Sequence, residues 1–259
     1  MINDEALNRE FARLDGKLNT VEGICKDIAQ GKTGGLVLSG PPGVGKTYSV
    51  MSFLAKYKKP KSHHYIFKGK ITPFNIYPTL YRYRDAGDVV VFDDADINDL
   101  DAINLLKAAG DTTSGPRLVS YESTSIDKLG IDRNFMFNGG IIILTNKAFE
   151  DEKRMRHHYD ALADRLHNVR LANFNNVDAM MMIYYMTIKR DVLKPYNFTA
   201  AQIADILCYI RENKNWLKCM SLRTLKKIAD EVKKRPNNWT VFCDATLLDD
   251  STYGDVGEA

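Results

Sequence analysis

The run Gly40-Pro41-Pro42-Gly43-Val44-Gly45-Lys46-Thr47 has the spacing G-x-x-x-x-G-K-[ST], which is suited to holding a polyphosphate. Glycines let the backbone pass close to phosphate oxygens, so that successive N–H groups and the start of a following helix face the negative charge. Lys46 neutralises phosphate charge, Thr47 offers its hydroxyl to Mg²⁺, and Tyr48 closes the stretch counted into the nucleotide site. A second group lies downstream, where Asp93 and Asp94 end the run Asp88-Val-Val-Val-Phe. Two acids after a strand serve more often as a helix cap. With a phosphate loop upstream, Asp93 becomes a candidate metal ligand and Asp94 a candidate to orient or deprotonate an attacking water.

These groups need a frame that brings distant segments together. Leu36-Val-Leu, Asp88 to Asp93 and Ile141-Ile-Ile-Leu-Thr145 are short, continuous apolar runs, the pattern of strands covered on both faces. A further strand is expected around Tyr65 to Phe67. Helices are expected between them, from Lys46 to about Tyr57, from Thr72-Pro73, and from Leu100 to Ala109, after an amphipathic lead-in over residues 3 to 30. Alternation of this kind predicts an α/β, three-layer αβα core with a parallel sheet, over about residues 1–175. An insert at about 117–140 reads as a β-hairpin projecting from the sheet. From Asn176 onward only helices are predicted, at about 177–192, from Thr199 with a Thr199-x-x-Gln202 capping box, and from Ser221 to about Lys234. That helical domain is set at 176–235. The remaining 236–259 has five acids and no Lys or Arg and is expected to be a partly mobile acidic tail.

Two more polar residues fit this order: Asn146 directly after the third strand, and Arg223 in Ser221-Leu-Arg-Thr. Taken alone, Asn146 is a strand-end turn former and Arg223 a solvated helix residue. In sequence with the phosphate loop and the acids, the set resembles the AAA+ ATPases over about Leu36 to Lys234. The resemblance implies that Asn146 is sensor 1, which helps position water, and that Arg223 is sensor 2, reaching from a helical lid to the nucleotide. It implies that Arg165, in Ala161-Leu-Ala-Asp-Arg165-Leu, is an arginine finger for a neighbouring subunit. Arg154, Arg156 and Arg170 are near enough in sequence to take that place. ATP and Mg²⁺ are the implied ligands, and a homo-oligomeric, hexamer-like ring the implied assembly. Asp94 departs from the family, whose second acid is usually Glu. The segments Gly69 to Tyr77, Phe92 to Asp96, Asn104 to Ala109 and Phe135 to Asn146 are similar to phage-encoded members. Thr145-Asn-Lys-Ala148 is followed by Phe149 and not by the Asp that guanine recognition requires, so adenine is expected.

The target is less specified. Lys56, Lys58, Lys59, Lys61, Lys68 and Lys70, with His63 and His64, form an acid-free stretch that reads equally as phosphate contacts or a solvated surface. Phe67-Lys68-Gly69-Lys70 falls where the family places a pore loop, able to stack on bases or grip a peptide. Lys128 and Arg133 near the hairpin tip would face that pore, or Arg117 and Glu122 would instead stabilise a subunit interface. The expected function is Mg²⁺-dependent ATP hydrolysis by a DNA-directed motor or loader in replication or recombination, on single-stranded or duplex DNA. The alternatives are a remodeller acting on a protein client and a slow nucleotide-gated assembly switch.

Composition excludes other classes. The 259 residues are 44% apolar and 27% charged, which is neither collagen-like nor disordered. A net charge of +3, from 36 Lys+Arg against 33 Asp+Glu, names no partner by itself. Cys25, Cys208, Cys219 and Cys243 show no zinc spacing and read as reduced packing residues. His157-His158 reads as a solvated helix pair, since adjacent helix residues point apart. The acidic start and the lack of a long apolar run predict no signal peptide, no membrane partner and a cytoplasmic place, that of the host if phage-encoded.

Overall fold

A computed structural model describes residues 4–69, 72–94, 97, 99–112, 116–146, 156–173 and 175–249. They divide into two compact units, one drawn from 15–40 and 46–171, the other from 1–14, 41–45 and 172–259.

The first unit holds strands β1 (Gly35–Ser39), β2 (His64–Lys68), β3 (Val89–Asp93), β4 (Arg117–Ser120), β5 (Asn134–Phe137), β6 (Gly140–Thr145) and β7 (His167–Arg170). Its helices are α2 (Lys46–Tyr57), α3 (Pro73–Arg82), α4 (Leu100–Ala109), α5 (Thr124–Asp127) and α6 (Arg156–Arg165), with the part of α1 (Asp4–Ala29) from Asp15 on. Five strands pair in the order β2-β3-β6-β1-β7, all parallel. The central three are the apolar runs: Leu36–Leu38, Val89–Phe92 and Ile141–Leu144 are fully buried, as strands covered on both faces must be. Val37, Val90, Phe92, Ile141 and Ile143 pack into one core with α3, α4 and α6. Elsewhere in this unit, Ile28 of α1 approaches β6 so closely that a Cβ on Gly140 would lie 2.2 Å from Ile28 Cγ2.

Strand β7 falls outside the sequence expectations. His167-Asn-Val-Arg is polar because the strand lies at the edge and, among the described residues, pairs with β1 alone, in register Leu36↔His167 to Ser39↔Arg170. A half-exposed edge needs no apolar run.

The hairpin forms, with β4 and β5 antiparallel in register Val119↔Phe135 and Leu118↔Met136. It does not project freely from the sheet. Val119, Phe135 and Phe137 are buried in the core that holds Leu80 of α3 and Ile103 and Leu106 of α4, and Tyr77 donates from its hydroxyl to Asp132 O at 2.6 Å. Arg117 is buried within the unit. Its guanidinium donates to Phe137 O (3.3 Å) and to Gly139 O and lies 5.1 Å from the Phe137 ring centre, and burial lowers its pKa. It therefore braces its own hairpin, in place of the subunit interface considered from sequence.

In the second unit, α7 (Asn176–Ile188), a 3₁₀ turn (Lys194–Tyr196), α8 (Ala200–Glu212), α9 (Leu222–Lys234) and α10 (Trp239–Leu247) surround a core of Met180, Ile183, Ile206, Ile210, Leu225 and Ile228. Helix α7 stops at Ile188, short of the expected Val192. Asp191 takes a left-handed backbone, φ +50, and Pro195 lies ahead. Both arms of the Thr199–Gln202 capping box are present. The expected mobile tail is, over Trp239–Leu247, a helix: Cys243, Leu247 and Leu248 are buried, and the Arg235 guanidinium lies 4.0 Å from the Phe242 ring centre. Its two buried positions, Cys243 and Leu247, lie four residues apart, but Val241 and Phe242 between them and the helix start are exposed, so the apolar residues form no clean stripe in the sequence. Residues 250–259 lie outside the described residues.

Candidate functional site

The phosphate loop lies between the end of β1 and the start of α2. Two of its glycines need their type. Gly43 has φ +74 and Gly45 φ +91, conformations that favour glycine. Within the second unit, a Cβ on Gly43 would meet Ser221 Cβ at 2.5 Å, and one on Gly45 would meet Leu222 Cδ1 at 2.9 Å. The loop is joined there by a backbone bond, since Leu222 N donates to Gly43 O at 2.7 Å. Ser221, the N-cap of α9, is 3% exposed and accepts from Thr224 N at 3.2 Å. Sequence reading identifies Ser221 only as a cap. Its place against the loop joins residues far apart in the chain, which no spacing rule can find.

In the first unit, five predicted residues converge at the carboxyl ends of neighbouring strands. Lys46, at the first turn of α2, is 6% exposed, and its ammonium donates to Gly40 O and Asn146 Oδ1, each at 2.8 Å. The next residue, Thr47, donates from its hydroxyl to Asp93 Oδ1 at 2.8 Å. Asn146, following β6, donates from its amide to Asp94 Oδ1 at 2.6 Å. The β1–β6 register explains the meeting: Ser39 lies level with Thr145, so Gly40 and Asn146 leave the sheet side by side. Asp94 has φ +55, in the left-handed region that Asp tolerates better than most residues. Lys68, assigned from sequence to a pore loop, has Nζ 3.7 Å from Asp93 Oδ2. Of the remaining loop residues, Val44 is buried and Tyr48 is exposed.

The other predicted residues are not gathered into this cluster. Arg165 lies in the last turn of α6 and donates to Ala161 O of its own helix at 2.7 Å. Arg223 lies in the first turn of α9, next to Leu222. Arg156 has Nε 3.8 Å from Asp160, and Arg170 lies on β7, while Arg154 falls outside the described residues. The stretch without acids in sequence meets acids in space. Lys56 pairs with Glu22 at 2.5 Å, and His63 Nδ1 lies 3.2 Å from Asp88. Lys70 lies outside the described residues. Phe67 is not a free gripping aromatic, because its ring packs on Phe92 with centres 5.7 Å apart. Arg133 is held by Asp127 (2.7 Å) and Glu122 (2.9 Å), while Lys128 is exposed. His157 is exposed and His158 half-buried.

Magnesium favours oxygen ligands and takes few from protein, keeping water for the rest. Thr47 Oγ1 and Asp93 Oδ1 are such a pair, beside a buried ammonium, so the residues present fit a magnesium-bound polyphosphate. Among the described residues no cluster of three or more His, Cys, Asp or Glu could hold a metal, and no helix is long and apolar enough to cross a membrane. The four cysteines are unpaired by disulfides.

No family model matches the chain. An uncharacterized 36.7 kDa protein of the nrdC-mobD intergenic region of Enterobacteria phage T4 is 29% identical over 238 residues, covering 88% of this chain and 72% of that protein. Among solved structures, the RuvB Holliday junction branch migration motor of Thermotoga maritima is similar over 90% of this chain and 68% of its own, with TM-score 0.51 and 16% identity. A proline-to-glycine mutant of that motor aligns over 91% and 69%, with TM-score 0.53 and 15% identity. The chain has the fold of the AAA+ ATPases. The sequence relative is a phage protein, in line with the phage-like segments noted in this chain.

Proposed function

We propose that the chain is a Mg²⁺-dependent ATPase of the AAA+ type that assembles as a ring and acts on DNA. One observation carries this reading: Lys46, Thr47, Asp93, Asp94 and Asn146, drawn from separate segments, form a hydrogen-bonded group beside the phosphate loop. In the proposed site Lys46 holds the terminal phosphates, and its bond to Asn146 gives way to them. Bound Mg²⁺ would supply charge neutralisation on the phosphate oxygens, held by Thr47 and Asp93. Asp94 orients the attacking water and accepts its proton, with Asn146 fixing the carboxylate. Arg223 follows the residue bonded to Gly43, which supports a role for it at the nucleotide. Arg165 leaves the Ala161 carbonyl to serve a neighbouring subunit's site. The organisation proposed is a nucleotide-binding core to about residue 175, a helical lid to about 235 and an acidic end beyond it.

The DNA target is supported by the name of the similar fold, a Holliday junction branch migration motor. It also rests on the hairpin before β6 and the exposed Lys58, Lys59, Lys61 and Lys128. Gripping of a polypeptide by Phe67 is disfavoured by its packing on Phe92. A slow assembly switch is favoured by one feature, the short Asp94 side chain already bonded to Asn146.

The ATPase rate measured against protein concentration, with and without single-stranded DNA, tests the reading. A finger given in trans is worth about 10³ to 10⁵ in rate, so specific activity should rise steeply with concentration and again with DNA. Asp94→Asn should bind ATP and hydrolyse it poorly. Mixed Arg165→Ala and Lys46→Ala subunits should recover activity. A rate strictly proportional to protein concentration and blind to DNA would sink the ring and the target together.

A further inference from the structure

Away from the phosphate loop, the first unit carries a second site that no sequence motif marks. A cavity of about 500 Å³ is lined by Tyr65 of β2, Tyr81 and Arg82 at the end of α3, Tyr83 and Arg84 just after it, and Ile131 from the β4–β5 connection. That volume lies within the range of small-ligand pockets, about 300–1,000 Å³. Three aromatic rings and two guanidinium groups share its wall, and no carboxylate does among the described residues.

The groups are held in order. Tyr65 and Tyr83 stack with ring centres 4.9 Å apart and 15° between planes, and Tyr65 remains 38% exposed. The Arg84 guanidinium lies 4.1 Å from the Tyr81 ring centre and spends one N–H on Tyr81 O at 2.6 Å. A guanidinium has five N–H donors, so most of those on Arg84 are left. Arg82 is exposed and makes no ion pair with the described residues. Of the acids close by in the chain, Asp88 is buried and already accepts from His63 N at 2.6 Å, while Asp85 and Asp132, the neighbours of Arg84 and Ile131, are exposed but do not line the cavity.

We propose that this Tyr65–Tyr83 and Arg82–Arg84 pocket binds single-stranded nucleic acid, one base stacking on the exposed tyrosine and the flanking phosphates meeting the arginines. The proposal rests on the DNA-directed reading and gives that reading a surface. Stacking on an aromatic face tolerates any base, and arginine adds both charge and a flat face. An acid-free wall with two guanidinium groups favours a polyanion over a peptide backbone, which offers dipoles but no charge.

Fluorescence anisotropy of a labelled oligothymidylate with the full chain in the presence of ATP tests it. Tyr65→Ala should weaken binding about tenfold, within the range for a lost base stack, and Tyr65→Phe should bind as the unaltered protein does. Arg82→Ala should lower the slope of log affinity against log salt by about 0.7, one single-strand phosphate contact. Both residues are partly or fully exposed, and binding of fluorescent ATP should stay unchanged in each variant. If the unaltered protein binds the strand and both variants bind it equally well, the pocket is overturned while the DNA reading stands. If the unaltered protein binds no strand, both fall. If free thymidine monophosphate competes as well as the strand does per nucleotide, the pocket takes small nucleotides and the strand assignment is overturned.

Discussion

The two ends of the parallel sheet are built on different principles. At the carboxyl ends, Lys46, Thr47, Asp93, Asp94 and Asn146 each spend a polar atom on another member of the group, and Lys46 is nearly sealed from solvent. Toward the amino ends, Tyr65, Arg82 and Tyr83 lie on a partly open surface, with stacked rings and an arginine that makes no ion pair among the described residues. A bonded cluster is pre-organised for one small, highly charged ligand, since its dipoles need little rearrangement. An open aromatic–arginine face suits a long ligand that contributes many weak contacts. Damage at the first end should therefore be severe and local, and at the second graded and salt-dependent.

The largest expected effect comes from Lys46→Ala. A hydrogen bond to a charged group is worth about 1.5–3 kcal/mol, so ATP affinity should fall roughly ten- to a hundredfold or more. Isothermal titration checks this, and an undiminished affinity would break the contrast at its stronger end. Gly43→Ala should come next. It places a Cβ 2.5 Å from Ser221 Cβ at φ +74, and the left-handed backbone alone disfavours alanine by about 1–2 kcal/mol. ATP affinity should drop about tenfold while strand binding at the Tyr65 face persists. Ser221→Ala is milder and sharpens the point. It removes the α9 cap but leaves the backbone bond from Leu222 to Gly43, so the protein should lose about 1 kcal/mol of stability in urea, with little change in ATP affinity.

The same contrast governs what is legible in the sequence. The phosphate loop is contiguous, and Asp93, Asp94 and Asn146 follow apolar runs, so each can be found by its neighbours in the chain. The central strands are legible because burial on both faces leaves unbroken runs such as Val89 to Phe92. Strand β7 is not, because an edge strand paired on one side needs no such run. The tail helix α10 is hidden because its apolar residues fall on both its buried and its exposed sides, and the hairpin's packing by a pattern that fixes alternation but not which partner covers it. Lys68 reads from sequence as a pore-loop cation, and its place beside Asp93 emerges only when β2 and β3 pair in register Lys68↔Asp93. The tyrosine–arginine face is assembled from β2, α3 and the hairpin connection, so no window of sequence contains it.

The smallest expected effect is a pH dependence near that second face. His64, at the start of β2, has Nε2 buried without a hydrogen-bond partner among the described residues. Burial pushes its pKa below the usual value, and the Lys58 charge adds to this, against the pull of Asp88. A base whose folded pKa lies below its unfolded one binds fewer protons when folded, so stability falls as pH drops through about 6.5 toward the folded value. Below the folded value this group adds no further change. His64→Leu removes the titration while keeping an apolar edge position. Chemical denaturation between about pH 7.5 and 5.5 should show the unaltered protein losing stability relative to the variant as acid is added. A constant difference across that window would mean that His64 is solvated when folded, and that the amino end of the sheet is more open than its side-chain burial indicates.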